Sequence, residues 1–136
     1  MIEHTSLNKK GTENIARNIA GTIVSGDIIL LYGELGAGKT YFVNKLCKFL
    51  KVKSIVNSPS YVLLNEYLGK YKIYHYDLYR LSSADEAIEL GILDRVNEGI
   101  TIVEWPELIQ DFLPNKRIEI FFEHNENLRN IKILIP

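Results

Sequence analysis

Two segments run apolar almost without interruption, Asp27-Ile28-Ile29-Leu30-Leu31-Tyr32 and Ile100-Thr101-Ile102-Val103. Runs of this length predict strands buried on both faces, the first of them parallel to its neighbours. Elsewhere the apolar positions recur at helical spacing. Ile15, Ala16, Ile19, Ala20 and Ile23 predict a helix over 12–24, N-capped by Thr12 and ended by Ser25-Gly26. Phe42, Val43, Leu46 and Leu50 share one face of a second helix. Tyr61 to Tyr67 and Tyr71 to Tyr76, aromatic and β-branched, predict a hairpin across Leu68-Gly69-Lys70. Ser83-Ala84-Asp85-Glu86 is a capping box that opens a short helix over 84–90, stopped at Gly91. Arg117 to Phe122 and Asn130 to Ile135 alternate as two strands about the polar turn His124-Asn125-Glu126-Asn127.

Between the first strand and the second helix lies Gly33-Glu34-Leu35-Gly36-Ala37-Gly38-Lys39-Thr40, a full match to G-x-x-x-x-G-K-[ST]. The strand before it and the helix after it are the context that separates a phosphate-binding loop from a glycine-rich turn. Backbone N–H groups of such a loop point at the phosphates, and the helix N-terminus adds partial positive charge. Lys39 is placed to reach the β- and γ-phosphates, and the Thr40 hydroxyl to be a ligand of Mg²⁺. The expected architecture is therefore α/β: one P-loop NTPase domain spanning residues 1–136, with a mixed central sheet flanked by helices.

The chain has 136 residues, 46% of them hydrophobic, which is one domain's worth with enough apolar matter for a core. A net charge of −1 gives no basic field for holding a nucleic acid unaided. Lys45, Lys48, Lys51 and Lys53 form a basic strip that reads as a solvated helix face. Cys47 is the single cysteine, so no intramolecular disulfide forms and its role is packing. With no apolar leader at the amino terminus and no run long enough for a membrane span, the reading is cytoplasmic.

A P-loop needs a carboxylate on a neighbouring strand to hold the Mg²⁺ shell. Glu104, delivered to the carboxyl end of the Ile100–Val103 run, is the candidate, and ligands bind at that end in open α/β sheets. Asp77 ends the other aromatic strand in His75-Tyr76-Asp77-Leu78-Tyr79-Arg80 and is the candidate to orient the attacking water. Lys39, Asp77 and Glu104 are thus the expected catalytic set. Thr40 and Glu104 are the metal pair. Trp105 reads as packing or a nucleotide-side wall, His75 as a satisfied strand histidine, and Arg80 either as a structural partner for Asp77 or Glu86 or as a group that neutralises charge in the transition state. Ser54 to Ser60, polar and proline-bearing, is a candidate switch loop.

The set Gly33 to Thr40, Ser58-Pro59-Ser60-Tyr61, His75-Tyr76-Asp77-Leu78-Tyr79-Arg80-Leu81, Glu89-Leu90-Gly91 and Glu104-Trp105-Pro106-Glu107 resembles the bacterial TsaE family, formerly YjeE. The similarity runs in order along nearly the whole chain. It implies a compact Mg²⁺-dependent ATPase that serves tRNA threonylcarbamoyladenosine biosynthesis beside the partner proteins TsaD and TsaB, meeting tRNA through that complex. It also associates the positions of Thr40 and Glu104 with the metal and makes the Asp77 position one needed for activity. One departure is Ser58-Pro59-Ser60 where the family usually has Ser-Pro-Thr. The tail after about residue 115 matches weakly.

Other P-loop classes fit less well. A GTPase needs Asn-Lys-x-Asp, but Asn44-Lys45 is followed by Leu46-Cys47 and Asn115-Lys116 by Arg117-Ile118. A small-molecule kinase needs an acceptor pocket and commonly an arginine-bearing lid, for which this length leaves little chain. A nucleotide-gated binding module, in which ATP orders a switch loop without turnover, is the non-enzymatic alternative.

Overall fold

In the structure, a computed structural model that describes residues 2–53, 63–125 and 128–136, both apolar runs lie in the middle of one sheet. The elements in chain order are β1 (Ile2–Leu7), α1 (Lys9–Ala20), β2 (Ile28–Tyr32), α2 (Lys39–Phe49), β3 (Leu64–Leu68), β4 (Lys72–Asp77), α3 (Ala84–Glu89), α4 (Ile92–Arg95), β5 (Ile100–Glu104), β6 (Ile118–Asn125) and β7 (Leu128–Leu134). Two 3₁₀ turns, Pro106–Leu108 and Gln110–Phe112, join β5 to β6. The seven strands follow the order β1-β7-β6-β2-β5-β4-β3. β2 is parallel to both β5 and β6, and β4 is parallel to β5. β3, β7 and β1 each pair antiparallel with the strand beside them, which makes the sheet mixed as expected.

Helices cover both faces, and this is why β2 and β5 read as unbroken apolar runs instead of alternating ones. Ile29, Leu31, Ile102 and Ile120 pack under α1 and α2 with Ile15, Phe42, Val43 and Leu46. Leu30, Tyr76 and Val103 pack on the opposite face with Ala87, Ile92 and Ile109. Cys47 lies fully buried in the first cluster, where burial pushes its thiol up to about 12, so it packs as a small hydrophobe. Because Leu30 is fully buried, Leu30→Ala is expected to lower unfolding free energy by about 2–5 kcal/mol. Leu68, 72% exposed at the end of β3, should cost under about 0.5 kcal/mol as Ala, and denaturant melts of both variants check the contrast.

Two local expectations change, both in α1. α1 starts one turn earlier than its apolar period suggested: Asn8 is the N-cap, its Oδ1 accepting from the Gly11 N–H at 2.9 Å. Thr12 is instead buried inside the helix, its hydroxyl turned back to the Asn8 carbonyl at 3.4 Å. The helix then ends at Gly21, whose N–H closes on the Arg17 carbonyl, before Ser25-Gly26 is reached. Ser83 caps α3 as expected, accepting from the Glu86 N–H, and the Glu86 carboxylate reaches back to Ser83 and also accepts from the Ser82 N–H and hydroxyl. β1 and α4 carry no signal that the periodicity exposed. The proposed switch residues 54–60, with Tyr61, lie outside the described residues.

Candidate functional site

β2 runs into the loop at Gly33, and α2 begins at Lys39, so Gly33 to Gly38 turns across the carboxyl edge of the parallel strands. Gly33 has φ 147° and approaches the β6 backbone so closely that a Cβ would stand 2.7 Å from the Phe122 carbonyl oxygen. Gly38, at φ 105°, precedes α2 with no side chain capping it, so the first N–H groups of that helix are left to whatever enters the loop. Arg129 of β7 lies over Gly38, where an added Cβ would stand 2.5 Å from its Nε. Ala37 is buried and Glu34, Leu35, Gly36 and Thr40 are exposed, which leaves the rim of the loop open to solvent.

Leu35, Gly36, Gly38, Lys39 and Thr40 form one wall of a cleft of about 200 Å³, and Tyr41, Asp77, Tyr79, Glu104 and Trp105 form the rest. Gly33 and Glu34 border a separate depression against β6 and β7. Seven of the ten expected site residues therefore meet in the cleft, while Gly33, Glu34 and the buried Ala37 do not line it. Lys39 is only 4% exposed; its ammonium donates to the Gly33 carbonyl at 2.5 Å and lies 3.8 Å from the Trp105 ring centroid. Burial pulls the Lys39 pKa down, and the Glu104 and Asp77 carboxylates oppose that shift.

The two carboxylates come from adjacent parallel strands. Asp77 at the end of β4 and Glu104 at the end of β5 are direct partners in the register, so both side chains stand on the α2 face beside the loop. They are 6% and 3% exposed. Burial raises the Asp77 pKa first and the neighbouring Glu104 adds to the rise, while the Tyr79 N–H, donating to Oδ1 at 3.0 Å, and Lys39 oppose it. The bond from Tyr79 closes an Asx turn, so Asp77 is at once a turn residue and a wall of the cleft. Thr40 hydroxyl, Asp77 and Glu104 supply hard oxygen donors on one surface, the chemistry that suits Mg²⁺ held jointly with phosphate. Among the described residues no group of three or more His, Cys, Asp and Glu side chains makes a protein cage for a metal.

Trp105 takes φ 56°, a left-handed conformation that costs a bulky residue on the order of 1–3 kcal/mol. Its N–H is tied to the Leu31 carbonyl at 3.3 Å and its ring tilts against Tyr79 with centroids 4.8 Å apart. The strain turns the chain sharply after Glu104 and lays the indole over Lys39. Periodicity missed Tyr41 and Tyr79 as lining residues and Arg129 as the cover of Gly38. His75 is satisfied, as expected of a strand histidine, but one partner is Glu104 itself, at 2.6 Å. Arg80 lies exposed on the turn after β4.

The chain is similar to known proteins along nearly its whole length. The family model described as "Threonylcarbamoyl adenosine biosynthesis protein TsaE" matches residues 6–131. The chain belongs to the TsaE family. Proteins named tRNA threonylcarbamoyladenosine biosynthesis protein TsaE are 38% identical in Rickettsia prowazekii, over 94% of this chain and 90% of that one, and 41% identical in Aquifex aeolicus, over 92% and 90%. The crystal structure of Bacillus subtilis YdiB superposes with a TM-score of 0.78 at 30% identity, covering 98% of this chain and 84% of its own. The TsaE match runs from β1 into β7 and so includes the loop, Asp77 and Glu104. Among the described residues no helix is long and apolar enough to cross a membrane.

Proposed function

We propose that this TsaE family member is a single-domain cytoplasmic ATP hydrolase that supports formation of N6-threonylcarbamoyladenosine in tRNA, working with the TsaD and TsaB proteins and meeting tRNA through them. The observation that carries the reading is the cleft in which the loop residues Lys39 and Thr40 face two buried carboxylates, Asp77 and Glu104, from neighbouring strands. The names of its relatives direct that chemistry to tRNA modification.

In this reading the N–H groups of Gly33 to Thr40 and the uncapped start of α2 receive the phosphates of ATP, and Lys39 leaves the Gly33 carbonyl to neutralise the β- and γ-oxygens. Thr40 and Glu104 hold Mg²⁺, which when bound offsets charge on the phosphates. Asp77 orients the water that attacks the γ-phosphorus. As that bond forms, the bond to the bridging oxygen breaks, ADP leaves with its electron pair, and the proton given up by the water passes to the released phosphate or to solvent. Trp105 and Tyr79 shield Lys39 from bulk water, which strengthens its attraction to the triphosphate.

Lys39→Ala is expected to weaken ATP binding by about tenfold or more, since a charge-assisted contact inside a desolvated loop contributes about 1.5–3 kcal/mol. Equilibrium titration with ATP followed by Trp105 fluorescence checks it, and equal affinities would remove the P-loop assignment. The function itself is tested by reconstituting tRNA modification from purified TsaD, TsaB, the enzyme that supplies the threonylcarbamoyl group, tRNA and ATP. Without this chain, product should stop at about one modification per partner complex. Sustained turnover in its absence would overturn the reading.

A further inference from the structure

Glu104 is held from behind. On the sheet face that carries the P-loop, three consecutive strands contribute Tyr67 from β3, His75 from β4 and Glu104 from β5. The pairing register sets His75 opposite Ile102 and Asn65, so Glu104 and Tyr67 are its diagonal neighbours on the same face, within reach of long side chains. His75 Nε2 lies 2.6 Å from Glu104 Oε2, and Nδ1 lies 3.3 Å from the Tyr67 hydroxyl. His75 is fully buried, with the aliphatic Ile73, Ile100 and Ile102 around it in the same core. An imidazole in such a place is costly unless both nitrogens are satisfied, and both are.

We propose that His75 is a positioning residue for the nucleotide-site carboxylate: it clamps Oε2 of Glu104, with Tyr67 fixing the ring behind it, so that Oε1 is held toward the phosphate-bound cation. The inference rests on the reading of Glu104 as the metal-side carboxylate. An ionised carboxylate only accepts, so Nε2–H donates to Oε2, and the neutral ring then accepts the Tyr67 O–H at Nδ1. That assignment gives each ring nitrogen of His75 a partner. It leaves Oε1, which takes no bond from the described residues, to the cleft that Glu104 lines. A glutamate has one more rotatable bond than the aspartate usual at this place in P-loop proteins, and the histidine removes that freedom. Partners of this kind behind metal ligands typically change metal affinity by about 10–100-fold when lost.

The test compares ATP affinity with Mg²⁺ to ATP affinity in EDTA, read by fluorescence of Trp105, the chain's single tryptophan. The ratio reports the metal's contribution and needs no turnover. In His75→Gln the side-chain amide reaches the place of Nε2, and the ratio should stay near the parent's. In His75→Asn the amide reaches only the place of Nδ1, and the ratio should fall by about tenfold or more while affinity in EDTA is kept. A parental ratio in His75→Asn, with Glu104→Gln lowering it, overturns the clamp alone. A parental ratio in Glu104→Gln instead overturns the metal-side reading of Glu104, and the clamp with it. If His75→Asn loses ATP binding in EDTA and so has lost its fold, Tyr67→Phe decides: a lowered ratio supports the clamp and an unchanged ratio overturns it.

Discussion

Glu104→Gln is expected to cut ATP hydrolysis by about 10²-fold or more while leaving ATP binding in EDTA close to the parent's, because it keeps shape and hydrogen bonding but removes the charge opposite the loop. The environment makes the comparison clean. Glu104 is buried at the end of a central strand, its backbone paired on both sides, and glutamine retains an acceptor for His75 Nε2. Loss of rate with a retained fold would therefore report the charge. Asp77→Asn should act in the same direction, since Asp77 is the register partner of Glu104 and its Oδ1 alone serves the Asx turn with Tyr79. The two effects will not add, because the residues are adjacent and share Lys39. Single-turnover hydrolysis rates for both single variants and the double variant measure this, and parental turnover in either single variant would return that residue to a structural role.

The parts of the fold legible in the chain are those whose evidence is local. β2, the loop and α2 follow one another within 22 residues, and a buried run, a glycine pattern and a helical period each declare themselves there. The same holds for β5, because a strand covered on both faces cannot be mistaken for one that alternates. β1 is different. It is an edge strand whose partner β7 lies at the far end of the chain, and nothing local in Ile2 to Leu7 tells it from a polar leader. The start of α1 was displaced because apolar spacing marks the buried face, whereas Asn8 caps a turn whose first residues, Lys9 and Lys10, are polar.

The site divides in the same way. Lys39, Thr40, Asp77 and Glu104 were legible as strand ends and motif positions, and the structure brings all four to one cleft. Which face of β4 meets which face of β5 depends on register, so the contact of His75 with Glu104 could not be read from spacing alone. Arg129 is further still from any local signal, since it reaches Gly38 only because β7 folds back along β6 toward the loop.

Turnover by the isolated chain is expected to be slow, and docking onto TsaD and TsaB should raise it by about 10³-fold, the scale on which supplying or ordering a missing cationic group acts in P-loop enzymes. The cleft supports this expectation in two respects. Lys39 bonds the Gly33 carbonyl and lies on Trp105, so it must be drawn from both to serve the phosphates. Around the rim, Leu35 and Tyr79 are 67% and 52% exposed, apolar surface that a docked partner would cover, closing the site from water. Thermodynamic reciprocity then requires that ATP and ADP change partner affinity by the same factor by which the partners change nucleotide affinity. Measuring ATPase rate with and without TsaD and TsaB, and assembly with ATP, ADP and no nucleotide, tests both halves. Unchanged turnover together with nucleotide-independent assembly would defeat the partner-driven mechanism even with Lys39 and Glu104 confirmed in their roles, because the chain would then act as a self-sufficient hydrolase whose contact with its partners carries no information about the nucleotide.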